Sequence, residues 1–326
     1  MTHPTLMLPY DLQLANEHRF SKHHIDRYIR KDIEANEWMK AKVQEGVQLL
    51  NDWLNGQYYE SKTARLEQVR GLDLEELVLT IFVQIAYCQR EELFTSVTAQ
   101  LAGRLHFSEK REGIQTIAEM VAVLCATDVF DINKFSNAAS LMIQSRIPLS
   151  EKLLNYVYES RFLPPMVCQP NVVTHNHESG HLTHNDSLVL GKGNHHDGDL
   201  CLDVINLQNQ IPLKLDVDFL LAMEEEPNKP FSMENVKDKA LEEGEVLTDA
   251  QAKEILQQQI DNWDTFKAES NQMYMLMINQ GNRFHLTNKV DKRGRLYAIG
   301  YHITTQGSAF KKAIVELADE EIVEGV

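Results

Sequence analysis

The residues best suited to chemistry lie between positions 291 and 312. The stretch Asp291-Lys292-Arg293-Gly294-Arg295-Leu296-Tyr297 sets two arginines two positions apart, and Lys311 and Lys312 follow. A guanidinium presents a planar fork of donors that binds an anion bidentately. In an extended segment, positions two apart project to one face. Arg293 and Arg295 therefore predict a pair of forks suited to successive phosphates. Gly294 removes a side chain between them and lets a backbone come close. Tyr297, two positions on, adds an aromatic face for a sugar or a base. Asp291 can orient a guanidinium or pin a turn. This chemistry is recognition rather than bond making, so no catalytic residue and no metal ligand is assigned. The same residues also fit a solvated charged hairpin in which the arginines serve Asp291 structurally.

The surrounding charge sharpens the contrast. The chain has 326 residues and a formal net charge of -16. Such an excess argues against non-specific nucleic-acid binding over the whole surface, because phosphates are held by local positive charge. Between Arg283 and Lys312, however, seven basic residues stand against one acid, for a net +6.

Two other clusters compete for a role. His175, His177, His181, His184, His195 and His196 fall close together, with Asp197 and Asp199 nearby. Imidazole and carboxylate can ligate zinc. Without a cysteine pair or a recognised spacing, the cluster reads as a polar surface loop. The stretch "NWDTFKAESNQMYMLMINQG" is rich in Met and aromatic residues. It reads as the core face of a long helix, with a partner-binding groove as the other reading.

The elements that must position these residues are mostly helical. Ile25, Tyr28, Ile29, Ile33, Met39, Val43, Val47 and Leu50 recur at helical spacing. Asp73 and Glu76 resemble a capping box before a long apolar helix, and Ser108, Asp131 and Ser150 read as further N-caps. From 166 to 202, prolines, glycines and histidines predict short strands or an ordered loop. Helix returns at "DVINLQNQIPLKLDVDFLLAM". Thr248 and Gln251 then open a second capping box, and Gly281 stops that helix. Ile255, Ile260, Trp263, Phe266, Met273 and Leu276 line its apolar side. The stretch after Gly281 predicts a hairpin, and "KKAIVELADEE" a short closing helix. The fold class is mainly α with a small β component. Its expected segments are a helical domain over 1–165, a hairpin or loop over 166–202, a helical segment over 203–282 and a basic segment over 283–326.

No run of eighteen apolar residues occurs, so no membrane span is expected. The N-terminus has no basic region followed by an apolar one, so no secretion signal is expected. The four cysteines, Cys88, Cys125, Cys168 and Cys201, are far apart and read as free thiols in a reducing compartment.

"DKRGRLYAIG" followed by "TTQGSAFKKAIVELA" closely resembles the DxRGRxY motif and downstream PQG segment of phage-type single-subunit RNA polymerases. "LPPMVCQP" is similar to that family's proline-rich segment, and "DVINLQNQIPLKLDVDFLLAM" to its "AIN..QNT.W.IN..VL" helix. The resemblance covers about residues 160–318. It departs from the family at Lys292, where an aromatic is usual, at Thr287, where a proline is usual, and at the His-rich loop, which replaces a Trp-Thr-Gly hairpin.

The resemblance implies a helical N-terminal polymerase domain plus a hairpin or short-sheet segment that completes the palm and thumb region. It makes Arg293 and Arg295 backbone contacts to template DNA and the RNA–DNA hybrid, with Gly294 permitting close approach and Tyr297 beside the nucleic acid. Lys312 matches a basic position in the following helix. The family's palm aspartates, fingers lysine and fingers tyrosine lie downstream of this motif and are absent here. The arrangement is similar to the two-chain RNA polymerase of enquatrovirus phages, in which a smaller subunit supplies the N-terminal part. The implied partner is a palm-and-fingers subunit. Mg²⁺ would sit in that subunit's active site, with no cofactor on this chain. An accessory promoter-melting factor is a further implied partner. The implied location is the cytoplasm of an infected bacterial host.

Two other function classes stay open on the residues alone: a free-standing DNA-binding transcription factor, and a metal-dependent hydrolase using the histidine loop. The polymerase reading carries its own check. The purified chain is expected to make no RNA from a template and ribonucleotides, because the metal-binding carboxylates that stabilise charge in phosphoryl transfer are missing. Template-directed synthesis by this chain alone would contradict it.

Overall fold

The computed structural model describes residues 8–103, 109–134, 140–160, 162–191, 194–222 and 231–319. Helix accounts for 56% and strand for 10%, which makes the chain mainly helical with small sheets. It divides into two compact units. One holds the described residues of Leu14–Leu163 and Val189–Asp197. The other holds those of Met1–Gln13, Pro164–Leu188 and Gly198–Val326.

The first eight helices are α1 (Pro9–Phe20), α2 (Lys22–Ala35), α3 (Glu37–Leu54), α4 (Glu60–Arg70), α5 (Leu74–Ile85), α6 (Phe94–Ala102), α7 (Lys110–Leu124) and α8 (Glu151–Glu159). A three-stranded antiparallel sheet joins them, built from β1 (Glu92–Leu93), β2 (Phe130–Lys134) and β3 (Leu141–Ser145) in the order β1-β3-β2. Helix α5 is the axis of this unit. Leu77, Val78, Ile81, Phe82, Val83 and Ile85 are all buried, so the helix is apolar around most of its circumference. Ile25, Ile29 and Ile33 of α2 and Met39, Val43 and Leu50 of α3 bury the stripes that their spacing predicts.

Capping follows the sequence in part. The Asp73 carboxylate accepts the N–H groups of Glu75 and Glu76 at 2.9 and 3.2 Å. Glu76 does not reach back to complete a box. It takes both arms of Arg30 at 2.7 and 2.6 Å, because a guanidinium is a stronger partner than one backbone amide. Ser150 precedes α8 without a side-chain cap, and its N–H instead donates to Asp32 at 3.0 Å. Asp131 caps no helix. It lies in β2 opposite Gln144 and holds Arg146 at 2.6 Å. Strand pairing with β3 there overrides the local preference of an Asp for a helix start. Ser108 lies outside the described residues.

The second unit contains α9 (Leu202–Asn209), β4 (Leu213–Leu215), α10 (Val217–Ala222), α11 (Met233–Glu242), α12 (Asp249–Asn279), β5 (Asn288–Val290), β6 (Leu296–Ala298), α13 (Ala309–Ala313) and β7 (Val315–Leu317). Thr248 and Gln251 form the full reciprocal capping box of α12. The helix runs 31 residues, about 46 Å at 1.5 Å per residue. It stops before Gly281, whose φ of +103° is open to glycine at low cost. Ile255, expected on the apolar side, is exposed, and its neighbour Leu256 is half-buried.

The closing segment differs from its expected helix. Only Ala309–Ala313 is helical, because Val315–Leu317 pairs antiparallel with Leu213–Leu215. The loop over 166–202 has bridge residues at Met166, which pairs with His285, and at Val189, and holds no named strand among its described residues. Among the described residues, no helix is long and apolar enough to cross a membrane.

Side-chain amides do much of the work of missing strands in this unit. Asn206 accepts the Val173 N–H at 2.8 Å and donates to its carbonyl at 2.9 Å. Asn282 clasps Leu215 in the same two-bond manner at 3.0 and 2.9 Å. Asn209, buried, accepts from the Asn288 N–H at 2.8 Å and from its side-chain amide at 3.1 Å, which holds the start of β5.

Gly300 follows β6 where the chain doubles back. A Cβ there would sit 2.0 Å from the backbone oxygen of Ile303. Backbone cannot give way as a flexible side chain can. Gly300→Ala is therefore expected to cost at least about 1–3 kcal/mol of stability, the usual range for overpacking. Chemical denaturation of both proteins checks it, and an unchanged midpoint would show that the 299–303 backbone relaxes freely.

Candidate nucleic-acid interface

The basic hairpin begins with a turn. The Asp291 carbonyl accepts the Gly294 N–H at 2.9 Å, and the Asp291 N–H donates to the Arg295 carbonyl at 2.9 Å. Gly294 sits at φ +77°. This is a turn closed by a left-handed glycine, the arrangement that joins strands across a short loop, with Asp favoured first and Gly favoured fourth. Strands β5 and β6 then pair Asn288 with Ala298, Lys289 with Tyr297 and Val290 with Leu296. Val290 also donates to the Leu188 carbonyl at 2.9 Å, which fastens the hairpin to its own unit.

One carboxylate organises the turn. Asp291 Oδ1 accepts the N–H groups of Arg293 and Arg295 at 2.9 and 3.0 Å. Its Oδ2 takes Arg295 Nε at 2.7 Å and a second guanidinium nitrogen at 2.6 Å. The Arg295 backbone N–H, then the Arg295 guanidinium and the Arg293 N–H, hold the Asp291 carboxyl down to about 2. Arg295 in turn lies over the Tyr297 ring at 5.7 Å. Arg293 approaches Asp291 only loosely, at 3.8 Å, and its side chain is 71% exposed.

The arginines thus occupy a turn rather than an extended strand. Strand alternation does not set their directions; Asp291 does. The space around Gly294 is open, with no atom within 4 Å of where a Cβ would lie. Its positive φ explains the glycine by itself.

The remaining cations divide into engaged and open ones. Arg283 is paired with Asp319 at 2.6 and 2.9 Å, and Lys289 with Asp186. Lys311 donates to the Tyr301 carbonyl at 2.6 Å and lies over the Tyr301 ring at 4.4 Å and the Phe266 ring at 5.3 Å. Burial pushes its ammonium down from the usual lysine range. Lys311 is therefore held inside its own unit, whereas Lys292 and Lys312 are exposed. The open part of the basic segment is Lys292, Arg293 and Lys312, with Arg295 half engaged. Spacing along the chain could not show this. Asp186 lies 103 positions from Lys289, and Asp319 lies 36 from Arg283.

Other residues that position the hairpin carry no local signal. Ser270 of α12 bonds His302 Nδ1 at 2.8 Å, and the His302 ring lies tilted against Phe266 with centres 5.7 Å apart. Asn209 and Asn288 act as described above.

The histidine loop leaves His175, His177, His195 and His196 exposed, as a surface loop would, and carries hydrogen bonds of its own. The Glu178 carboxylate accepts the N–H groups of Thr174 and His175, and Ser179 Oγ donates to the His184 carbonyl at 2.5 Å. His181 and His184 stack with ring centres 4.8 Å apart and are half-buried. His195 meets Asp197 at 3.2 Å. Among the described residues, no three His, Cys, Asp or Glu side chains converge as a metal site would require.

No protein-family model matches the chain, and no curated protein matches it at a significant level.

The coupling of Asp291 to Arg295 has a measurable sign. The carboxyl is depressed in the folded chain, so its stabilisation is present above the ordinary Asp value of 3.8 and is lost as pH falls toward 2. An NMR titration of Asp291 is expected to give a midpoint near 2. Arg295→Ala should move that midpoint upward, because the guanidinium bonds are lost. A midpoint at the ordinary value in the unaltered chain would contradict the geometry.

Proposed function

We propose that this chain is the non-catalytic, smaller subunit of a split phage-type DNA-dependent RNA polymerase, contributing the helical N-terminal domain and the contacts of the Asp291–Tyr297 hairpin. The observation that carries the reading is the division of labour inside the turn. Asp291 and Gly294 meet its conformational needs, and Arg295 braces Asp291. Arg293 has no comparable internal partner, yet the turn presents it outward. An exposed guanidinium on a braced turn, beside Lys292, with Arg295 lying over a half-exposed Tyr297, suits the phosphates and sugars of template DNA and the RNA–DNA hybrid.

On this reading, Arg293 holds a backbone phosphate and Arg295 is half brace and half contact. Tyr297 offers a face to the nucleic acid, and Lys292 and Lys312 raise the local positive potential. Lys311 supports the hairpin from within. The palm-and-fingers partner subunit would hold Mg²⁺ and carry the bond-making step. This chain's residues would bind and orient the strands.

The test uses the assembled pair. Arg293→Ala should leave melting and co-purification unchanged, while run-off transcription falls and elongation complexes become more salt-sensitive. A lost charged contact of about 1.5–3 kcal/mol corresponds to roughly 10- to 150-fold in binding. The loss should be nearly uniform across template sequences, because phosphate contacts position rather than specify. Arg293→Lys should recover part of it. Asp291→Ala should instead lower thermal stability. Normal transcription with Arg293→Ala would sink the assignment.

A further inference from the structure

We infer that the tip of the α11–α12 helical hairpin is a docking surface for a basic protein surface with an apolar socket. On the reading above, that surface belongs to the palm-and-fingers subunit, and the inference rests on that reading. From Phe231 to Gln272, ten acids stand against four bases, for a net -6. The hairpin closes its own inner face through Val236, Ala240 and Ala252, all buried. Lys237 ties α11 to Asp249 at the start of α12. The apolar groups at the tip are left over from this packing. Leu241 is 65% and Val246 88% exposed, on either side of Gly244. Glu242, Glu243 and Glu245 stand between and beside them along the chain, exposed and without a cation among the described residues.

An exposed apolar pair interspersed with carboxylates has a definite complement. Its apolar centre gains by leaving water, and its rim gains by meeting positive charge. Nucleic acid fails on charge, since phosphates would meet three unpaired carboxylates. Within the basic segment, the open cations Lys292 and Arg293 sit on an exposed turn rather than around an apolar socket. A basic protein surface fits both halves of the pattern. The chain would then face nucleic acid with its basic turn and protein with its acidic tip.

The test places a photo-reactive amino acid at Val246 in the complex reconstituted with the palm-and-fingers subunit and a template DNA duplex. It also measures that subunit's affinity for Leu241→Ser/Val246→Asp and for Glu242→Lys/Glu243→Lys/Glu245→Lys. The cross-link is expected on the protein partner, with affinity at least tenfold weaker for both variants. The charge-reversed variant should also lose most of the salt dependence. Both variants should melt as the unaltered chain does, since the altered groups are exposed, and both should keep the Arg293-dependent contact to template. A cross-link to DNA, unchanged affinity, or a self-association of the purified chain that the same variants abolish would overturn the inference while leaving the split-polymerase reading standing. Failure of the unaltered chain to pair with any palm-and-fingers subunit would overturn both.

Discussion

The carboxylate of Asp291 is the constraint on which the basic hairpin depends. It accepts two backbone N–H groups and a guanidinium at once, within a turn of five residues. Each bond alone is modest at a surface, where water competes for both partners. Their convergence on one side chain makes the difference, because fixing the first prepays the ordering entropy of the others. The same carboxylate sorts the two arginines. Arg295 reaches it with its fork and is held to it although half exposed, while Arg293 is left facing solvent.

Around this turn, the second unit is held together by side chains standing in for strands. Its strands are three residues long, too short to define a sheet on their own. Asn206, Asn209 and Asn282 supply the missing ladder bonds, each donating or accepting where a neighbouring backbone would. A carboxamide has both a donor and an acceptor, so one residue can replace a bridge of an antiparallel pair. This lets irregular segments from distant parts of the chain meet without exposing unpaired backbone groups.

Charge is distributed by the same logic. The basic segment is far less positive in the folded unit than along the chain, because Asp186 and Asp319 arrive from elsewhere and Lys311 turns onto aromatic rings. What remains open is a small cationic patch at the turn. The acidic excess is conspicuous at the α11–α12 tip, where three exposed glutamates alternate along the chain with two exposed apolar side chains. A strongly acidic chain can therefore present one local surface to anions while the rest repels them.

Sequence alone determined the features that depend on neighbours along the chain. The helices of α2, α3 and α5, the Thr248–Gln251 capping box and the stop at Gly281 were legible because caps and amphipathic stripes act over three or four residues. A turn pinned by Asp291 was one of two roles open to that residue, whereas the extended strand expected for Arg293 and Arg295 gave way to the turn between β5 and β6. Only the tertiary structure decided the rest. It put Asp131 in a strand, because β3 returns to pair with it. It turned Val315–Leu317 from helix to strand, because Leu213–Leu215 offers a partner about a hundred residues away. It left Ile255 exposed and Leu256 half-buried on α12. Above all, it chose which cations stay open, since Lys289, Arg283 and Lys311 meet partners that are distant or irregular in sequence. Ion pairs and aromatic contacts form in space, and no spacing rule along the chain foretells them.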